Sequence, residues 1–406
     1  MKKKLTNVTS VFLICLTVLS QYGCKSGKTV QNDTEKEFIS LAYVSLSMLK
    51  LHKANPEEIK AILDNYRWDG ISDIVLIGGI YMTGKEGSII TSWNRSEWPE
   101  VFEGVDYLDR PINEKHKRNM LCSKEVVNAV VDYFKQKDMK LWLSQTAAGW
   151  LTGGSFGVVL EDKGMTKEYA LKLYRFAKDF GCVGVDFDWE FPPNKIQAEG
   201  YRDLMKQVKD LGMKVSVCAI RPTAGKEYLD QAIEPEANIN GHAGKFMKWE
   251  EIINDQMVDY INVMQYLGYN PKTKQLDVNI KAEKMAEWEK IYPNEFTENR
   301  NIDFLCGIGY YSFLLPEFKK NGKKGGKNLQ FIYDNYGAEA LGKKVVEGHA
   351  IWSTSDVSEI VKYAKKQGWS GVFTWLVSHD VTNEVDDEYS RQRALANEVE
   401  KIWEAE

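Results

Sequence analysis

The chain has 406 residues, 43% of them apolar, with 12 Trp, 20 Tyr and a net charge of −5. That is enough apolar and aromatic material to fill a large core and still line a groove. The mild negative charge argues against nucleic acid and other polyanions as partners.

The first 24 residues carry a targeting pattern. Lys2, Lys3 and Lys4 precede a short apolar stretch from Val11 to Leu19, followed by Gln21-Tyr22-Gly23-Cys24. The stretch is too short to span a bilayer comfortably. Gly before Cys resembles the lipobox of bacterial lipoproteins, although Gln21 stands where that motif usually carries a Leu-like residue. The resemblance implies lipidation of Cys24 and a place in the cell envelope, on the outer membrane or facing the periplasm, with plain secretion as the alternative. Residues 25–36 read as a polar tether. Residues 37–406 remain, a length normal for one α/β barrel with insertions.

Eight β-rich apolar stretches follow, at 38–44, 74–80, 140–144, 183–190, 214–219, 260–266, 304–309 and 371–376. Helical patterns separate them. Asn55-Pro56-Glu57-Glu58 offers an N-cap, Pro at the first helical position and an acid at the third. Ser123 precedes a Val-rich helix, Thr166 opens another that carries Tyr169, Leu173 and Phe176, and Gly212 and Gly368 close helices. Strand–helix alternation predicts a parallel sheet. Eight such units predict an α/β fold of the (β/α)8 TIM barrel type, a single domain with long βα loops, over an open doubly wound sheet. Those loops are 83–122, 221–250 and 310–350, and each begins at the C-terminal mouth of the barrel. No internal repeat, second domain or small α+β insertion after the seventh strand is legible. The Lys/Gly run 319–327 lacks the strand–loop–helix context of a phosphate cradle and reads as a solvated loop. Cys218 and Cys306 fall in predicted strands and Cys182 directly precedes one, so all three read as small core hydrophobes, and no CxxC spacing occurs.

The most informative segment is Gly184-Val185-Asp186-Phe187-Asp188-Trp189-Glu190-Phe191-Pro192. On an extended backbone, Asp186, Asp188 and Glu190 form one acidic row and Val185, Phe187 and Trp189 cover the opposite face. Neighbours on one face sit roughly 6–7 Å apart, so buried acids in such a row raise one another's pKa or need partners. An edge strand with its acids in water would escape that cost. The apolar run Phe180-Gly181-Cys182-Val183 favours instead a parallel strand buried on both faces. A metal site is disfavoured, because ligands on one strand cannot surround an ion and none of the five histidines has helix-type metal spacing. No cofactor is expected.

This segment closely resembles the Asp-x-x-Asp-x-Asp-x-Glu signature of glycoside hydrolase family 18, the chitinases and endo-β-N-acetylglucosaminidases. Leu141-Trp142-Leu143-Ser144 resembles that family's third strand, Met264-Gln265-Tyr266 its sixth, and Gly371-Val372-Phe373-Thr374-Trp375 its eighth. Two positions depart from the pattern. Val183 replaces its first Asp, and Leu267 stands where many members carry Asp or Asn. Val183 is an odd number of residues from Asp186, so it faces away from the acidic row.

Asp188 and Glu190 approach a ligand from one side, so neither can be the nucleophile while the other is the acid. The resemblance supplies the missing nucleophile, the 2-acetamido oxygen of the substrate, which forms an oxazolinium intermediate with net retention. It implies Glu190 as general acid and then base, Asp188 as orienter of the acetamido group, and Asp186 as the deepest member of a coupled set. Tyr266 would donate to the acetamido carbonyl, Met264 would shape its pocket or simply pack, and Trp375 would stack under the sugar. The loop aromatics Trp93 and Trp98 would either be stacking platforms or pack their loop. The expected ligand is an N-acetylglucosamine-containing oligo- or polysaccharide, and the expected protein is a monomeric, chitinase-like hydrolase. An endo-β-N-acetylglucosaminidase and a non-catalytic glycan binder are the alternatives.

Overall fold

In the computed structural model, which describes residues 37–84, 86–94, 121–146, 153–189, 192, 194–220, 222, 246–315 and 326–405, alternation of side chains carries the eight apolar stretches into strands. These are β1 (Ile39–Ser45), β2 (Asp73–Ile77), β3 (Lys140–Thr146), β4 (Gly184–Asp188), β5 (Lys214–Ala219), β6 (Tyr260–Val263), β7 (Asp303–Gly309) and β8 (Gly371–Trp375). Each pairs in parallel with its sequence neighbours and β8 pairs with β1, so the sheet closes into a (β/α)8 TIM barrel. Closure leaves no unpaired strand edge. Residues 37–406 form one compact unit.

Two apolar layers result from the period of two. Ile39, Leu41 and Tyr43 of β1 join the barrel interior, while Phe38, Ala42 and Val44 pack outward against the helices. On β4 the outward set is Val185 and Phe187, followed by Trp189, and Asp186 is turned to the inside. Near the N-terminal floor the interior is filled by the Trp142 indole, which lies 4.8 Å from the Tyr260 ring. Gly184 is required there. A Cβ on it would come within 2.2 Å of the Trp142 ring, so the glycine of the acidic motif exists to let a tryptophan plug the barrel.

Several helix ends follow the caps expected. Asn55 and Glu58 form a reciprocal capping box at 3.0 Å in each direction, and Ser123 accepts from Val126 N–H. Gly212 and Gly368 adopt positive φ of 86° and 79° just past helices. Other boundaries differ from the sequence reading. β2 stops at Ile77 because Gly78 and Gly79 turn to φ of 62° and 84°. The helix assigned to begin at Thr166 begins at Lys163, because Asp162 takes the cap, and the Thr166 hydroxyl is spent on Val159 and Asp162 carbonyls. A preceding helix, Gly153–Glu161, had no legible signal.

The connection from β7 to β8 is more elaborate than expected. Phe313–Leu314, Val345–Val346 and His349–Ala350 form a three-stranded antiparallel sheet, accompanied by helices Leu329–Tyr336 and Ala338–Leu341. Strands of two residues are too short to show alternation, which is why this small α+β element was not legible.

Candidate active site

Register builds the site. Asp186 on β4 stands level with Ser144 on β3 and Ser216 on β5, and Asp188 stands level with Thr146. Parallel strands at matching inward positions place all these side chains in the same layers of the barrel.

Asp186 is fully buried. Its Oδ1 accepts from Ser216 Oγ (2.5 Å), Tyr43 Oη (3.0 Å) and Asn262 Nδ2 (3.2 Å), and its Oδ2 accepts from Ser144 Oγ (3.2 Å). Burial pushes its pKa up to about 6, and the four neutral donors only partly oppose the rise. A carboxyl so placed exchanges its proton near neutrality. Tyr43 is also held by Asn262 Nδ2 (2.9 Å) and lies 3.2 Å from Cys218 Sγ. Burial first, and then the charge of Asp186, raise the phenol well above its ordinary value, so it stays a donor.

Asp188, one step nearer the C-terminal end, is 2% exposed. Beyond it, Met264, Tyr266 and Trp375 pack half-buried against the barrel-interior cluster. β6 ends at Val263, earlier than expected, but Met264 and Tyr266 keep the inward parity of the strand. Trp375 meets Tyr43 edge-on (5.3 Å), Tyr43 meets Phe373 (5.7 Å), Phe373 meets Tyr266 (5.7 Å) and Tyr266 meets Tyr311 (6.4 Å). The Trp375–Leu376 peptide bond is cis. A cleft of about 390 Å³ opens at this end, lined by Ile220, Met264, Tyr266, Leu267, Lys284 and Tyr311 among others. Leu267 makes one wall apolar where a carboxylate or amide was the expected residue.

Asp186 and Asp188 are buried in the barrel, and Met264, Tyr266 and Trp375 pack against its interior cluster. Glu190, Trp98 and Cys24 lie outside the described residues. Trp93 is elsewhere. Its ring stacks on Phe176 at 6.2 Å and 16° and meets Phe180 edge-on, both aromatic residues of the segment between β3 and β4. Of the two readings open for it, packing is the one its contacts show. Sequence reasoning missed Tyr43, Ser144, Ser216, Cys218 and Asn262. Each sits at an inward position of its strand, but no local signal joins positions up to 219 residues apart. Among the described residues, no cluster of three or more His, Cys, Asp or Glu is arranged to hold a metal ion.

A parallel eight-stranded barrel with carboxylates and aromatic rings at its C-terminal mouth belongs to the class of TIM-barrel proteins that carry an acidic site on one strand. More particularly, the chain belongs to the glycosyl hydrolases family 18, which it matches over residues 112–380. It is 27% identical over 132 residues to Chitinase 1 of Aphanocladium album and 23% identical over 279 residues to Endochitinase 1 of Metarhizium anisopliae. The alignments cover 32% and 60% of this chain and span only 29% and 62% of those relatives' own lengths. In fold it is similar to a chitinase from Bacteroides thetaiotaomicron (TM-score 0.58, 14% identity, 89% of this chain and 96% of that one). It is also similar to a chitinase-like agglutinin from Robinia pseudoacacia (TM-score 0.54, 15% identity, 89% and 99%). At such identities the likeness concerns the fold.

Proposed function

We propose that the protein is a retaining glycoside hydrolase that cleaves β-1,4 linkages next to N-acetylglucosamine, with the substrate's own acetamido oxygen as nucleophile. The observation that carries this reading is the inward pair Asp186 and Asp188 with Tyr266 and Trp375 beside it, in a family 18 chain. Glu190, two residues after Asp188, protonates the departing oxygen and then activates water. Asp188 orients the acetamido N–H. Asp186, whose pKa burial raises to about 6, takes up or releases a proton as Asp188 changes partner. Tyr266 donates to the acetamido oxygen as charge develops, and Trp375 supports the sugar ring.

Chitin-type oligosaccharides are the substrates favoured, and N-linked glycans are the alternative. Mass spectrometry of products from a panel of N-acetylated glycans decides between them. Cello-oligosaccharides, which lack the acetamido group, should be inert, and their hydrolysis would remove the substrate-assisted reading. The similarity in fold to an agglutinin makes sugar binding without hydrolysis the second reading. Saturable binding of chitin oligosaccharides with no product would establish it. The leader pattern supports export with lipid attachment at Cys24, and the intact mass of the envelope protein tests this.

A further inference from the structure

Three consecutive carbonyls beyond β6 are each held by a side chain from outside the loop, two of them from the following helix Val278–Ile291. Lys281 Nζ donates to Gln265 O (2.5 Å), Trp352 Nε1 to Tyr266 O (3.1 Å) and Lys284 Nζ to Leu267 O (2.9 Å). Lys281 also donates to Gly307 O of β7 (2.6 Å), so one ammonium ties the loop that carries Tyr266 to the neighbouring barrel strand. The next residue, Gly268, has no room for a side chain. A Cβ there would come within 2.4 Å of Asp277 O and 2.6 Å of Lys281 N, so loop and helix Val278–Ile291 are in close backbone contact. Trp352 is itself anchored, since Arg391 Nε donates to its carbonyl at 2.8 Å.

Lys281 is 0% exposed. A buried ammonium is expensive, and burial lowers its pKa accordingly. A methionine of similar length would fill the same space without that cost, so packing does not account for a lysine here. Its distinctive capacity is to donate several hydrogen bonds at once from one point, to carbonyls of two different elements.

We propose that Lys281 is a positioning residue for Tyr266, clamping the loop after β6 to β7 so that the phenol is held in place beside Asp188. This rests on the role given to Tyr266 in the proposed function. Misplacing a catalytic donor by about 1 Å costs on the order of 10²-fold in rate, so the effect should be large and confined to the chemical step.

The test is a double-mutant cycle on chitin oligosaccharides with Lys281→Met and Tyr266→Phe. Lys281→Met should lower kcat about 10- to 100-fold while KM stays within about twofold. In the Tyr266→Phe background the same change should cost less than about threefold. Trp352→Phe, which keeps most of the aromatic bulk and deletes the donor to Tyr266 O, should show the same pattern at smaller size and guards against a Lys281 variant that fails to fold. If neither variant lowers kcat, or if the losses are equal in both backgrounds, the inference is wrong. A wild-type protein without product, or an undiminished Tyr266→Phe, overturns the functional reading instead. Amide exchange over residues 264–268 then still tests the clamp: faster exchange in either variant supports it, and unchanged exchange in both overturns it.

Discussion

Asp73 and Asp186, both fully buried in the barrel interior, lie at different depths and have different consequences. At the floor, Asp73 accepts from Trp142 Nε1 (2.8 Å) and from Ser72 Oγ (2.7 Å). Burial raises its pKa, and the hydrogen bonds and the charges of Lys140 and Lys214 oppose the rise. Toward the mouth, Asp186 has more hydrogen bonds than Asp73, but all come from neutral groups, and its pKa reaches about 6. Burial is the largest influence on both carboxyls, and the two differ in what opposes it: hydrogen bonds and lysine charges at Asp73, neutral donors at Asp186. The floor carboxylate orients the tryptophan that plugs the barrel. The one toward the mouth is free to change protonation state beside Asp188.

The strongest break of this contrast comes from the end of the acidic row. Glu190→Gln should reduce turnover about 10²- to 10⁴-fold while oligosaccharide binding stays measurable by calorimetry, and a near-normal rate would refute the assignment. Tyr266→Phe should cost on the order of 10²-fold in kcat, as expected for loss of one donor to a developing charge. Asp186 gives a pH signature. Its pKa rises from an ordinary 3.8 to about 6 on folding. The folded protein therefore binds this proton more tightly. The resulting stability is fully present below about pH 4 and is lost as pH rises through about 6. Between pH 4 and 7, wild type should lose about 2 kcal/mol relative to Asp186→Asn in denaturant titrations, and parallel curves for the two proteins would contradict this.

The counterpart at the floor should behave oppositely. Asp73→Asn should leave kcat within about twofold and lower stability by about 1–2 kcal/mol, because it weakens the Trp142 hydrogen bond in a fully buried place. A large loss of rate there would erase the distinction between the two aspartates. The smallest effect belongs to Trp93→Ala. It removes a stack on Phe176, so about 1 kcal/mol of stability is expected and no change in product pattern.

All eight strands and their order were legible because each is a short apolar stretch bounded by helix signals, and parallel strands in sequence admit few arrangements. The parity of Asp186 and Asp188 was equally legible, since side-chain alternation is a property of the extended backbone itself. Met264 and Tyr266 were found through their resemblance to the family's sixth strand, even though β6 stops short of them. Trp93 was ambiguous because an indole suits a sugar and a helix face alike, and only its neighbours distinguish these.

What the chain specified locally was periodicity, caps and the acidic row, because these depend on residues within a few positions of one another. The tertiary structure alone decided which groups surround that row. Tyr43, Ser144, Ser216 and Asn262 reach Asp186 across as many as 143 residues of sequence, and Lys281 finds two carbonyls on separate elements. Such pairings follow from barrel closure and strand register, which are set by the packing of the whole core and leave no trace in any single stretch of sequence.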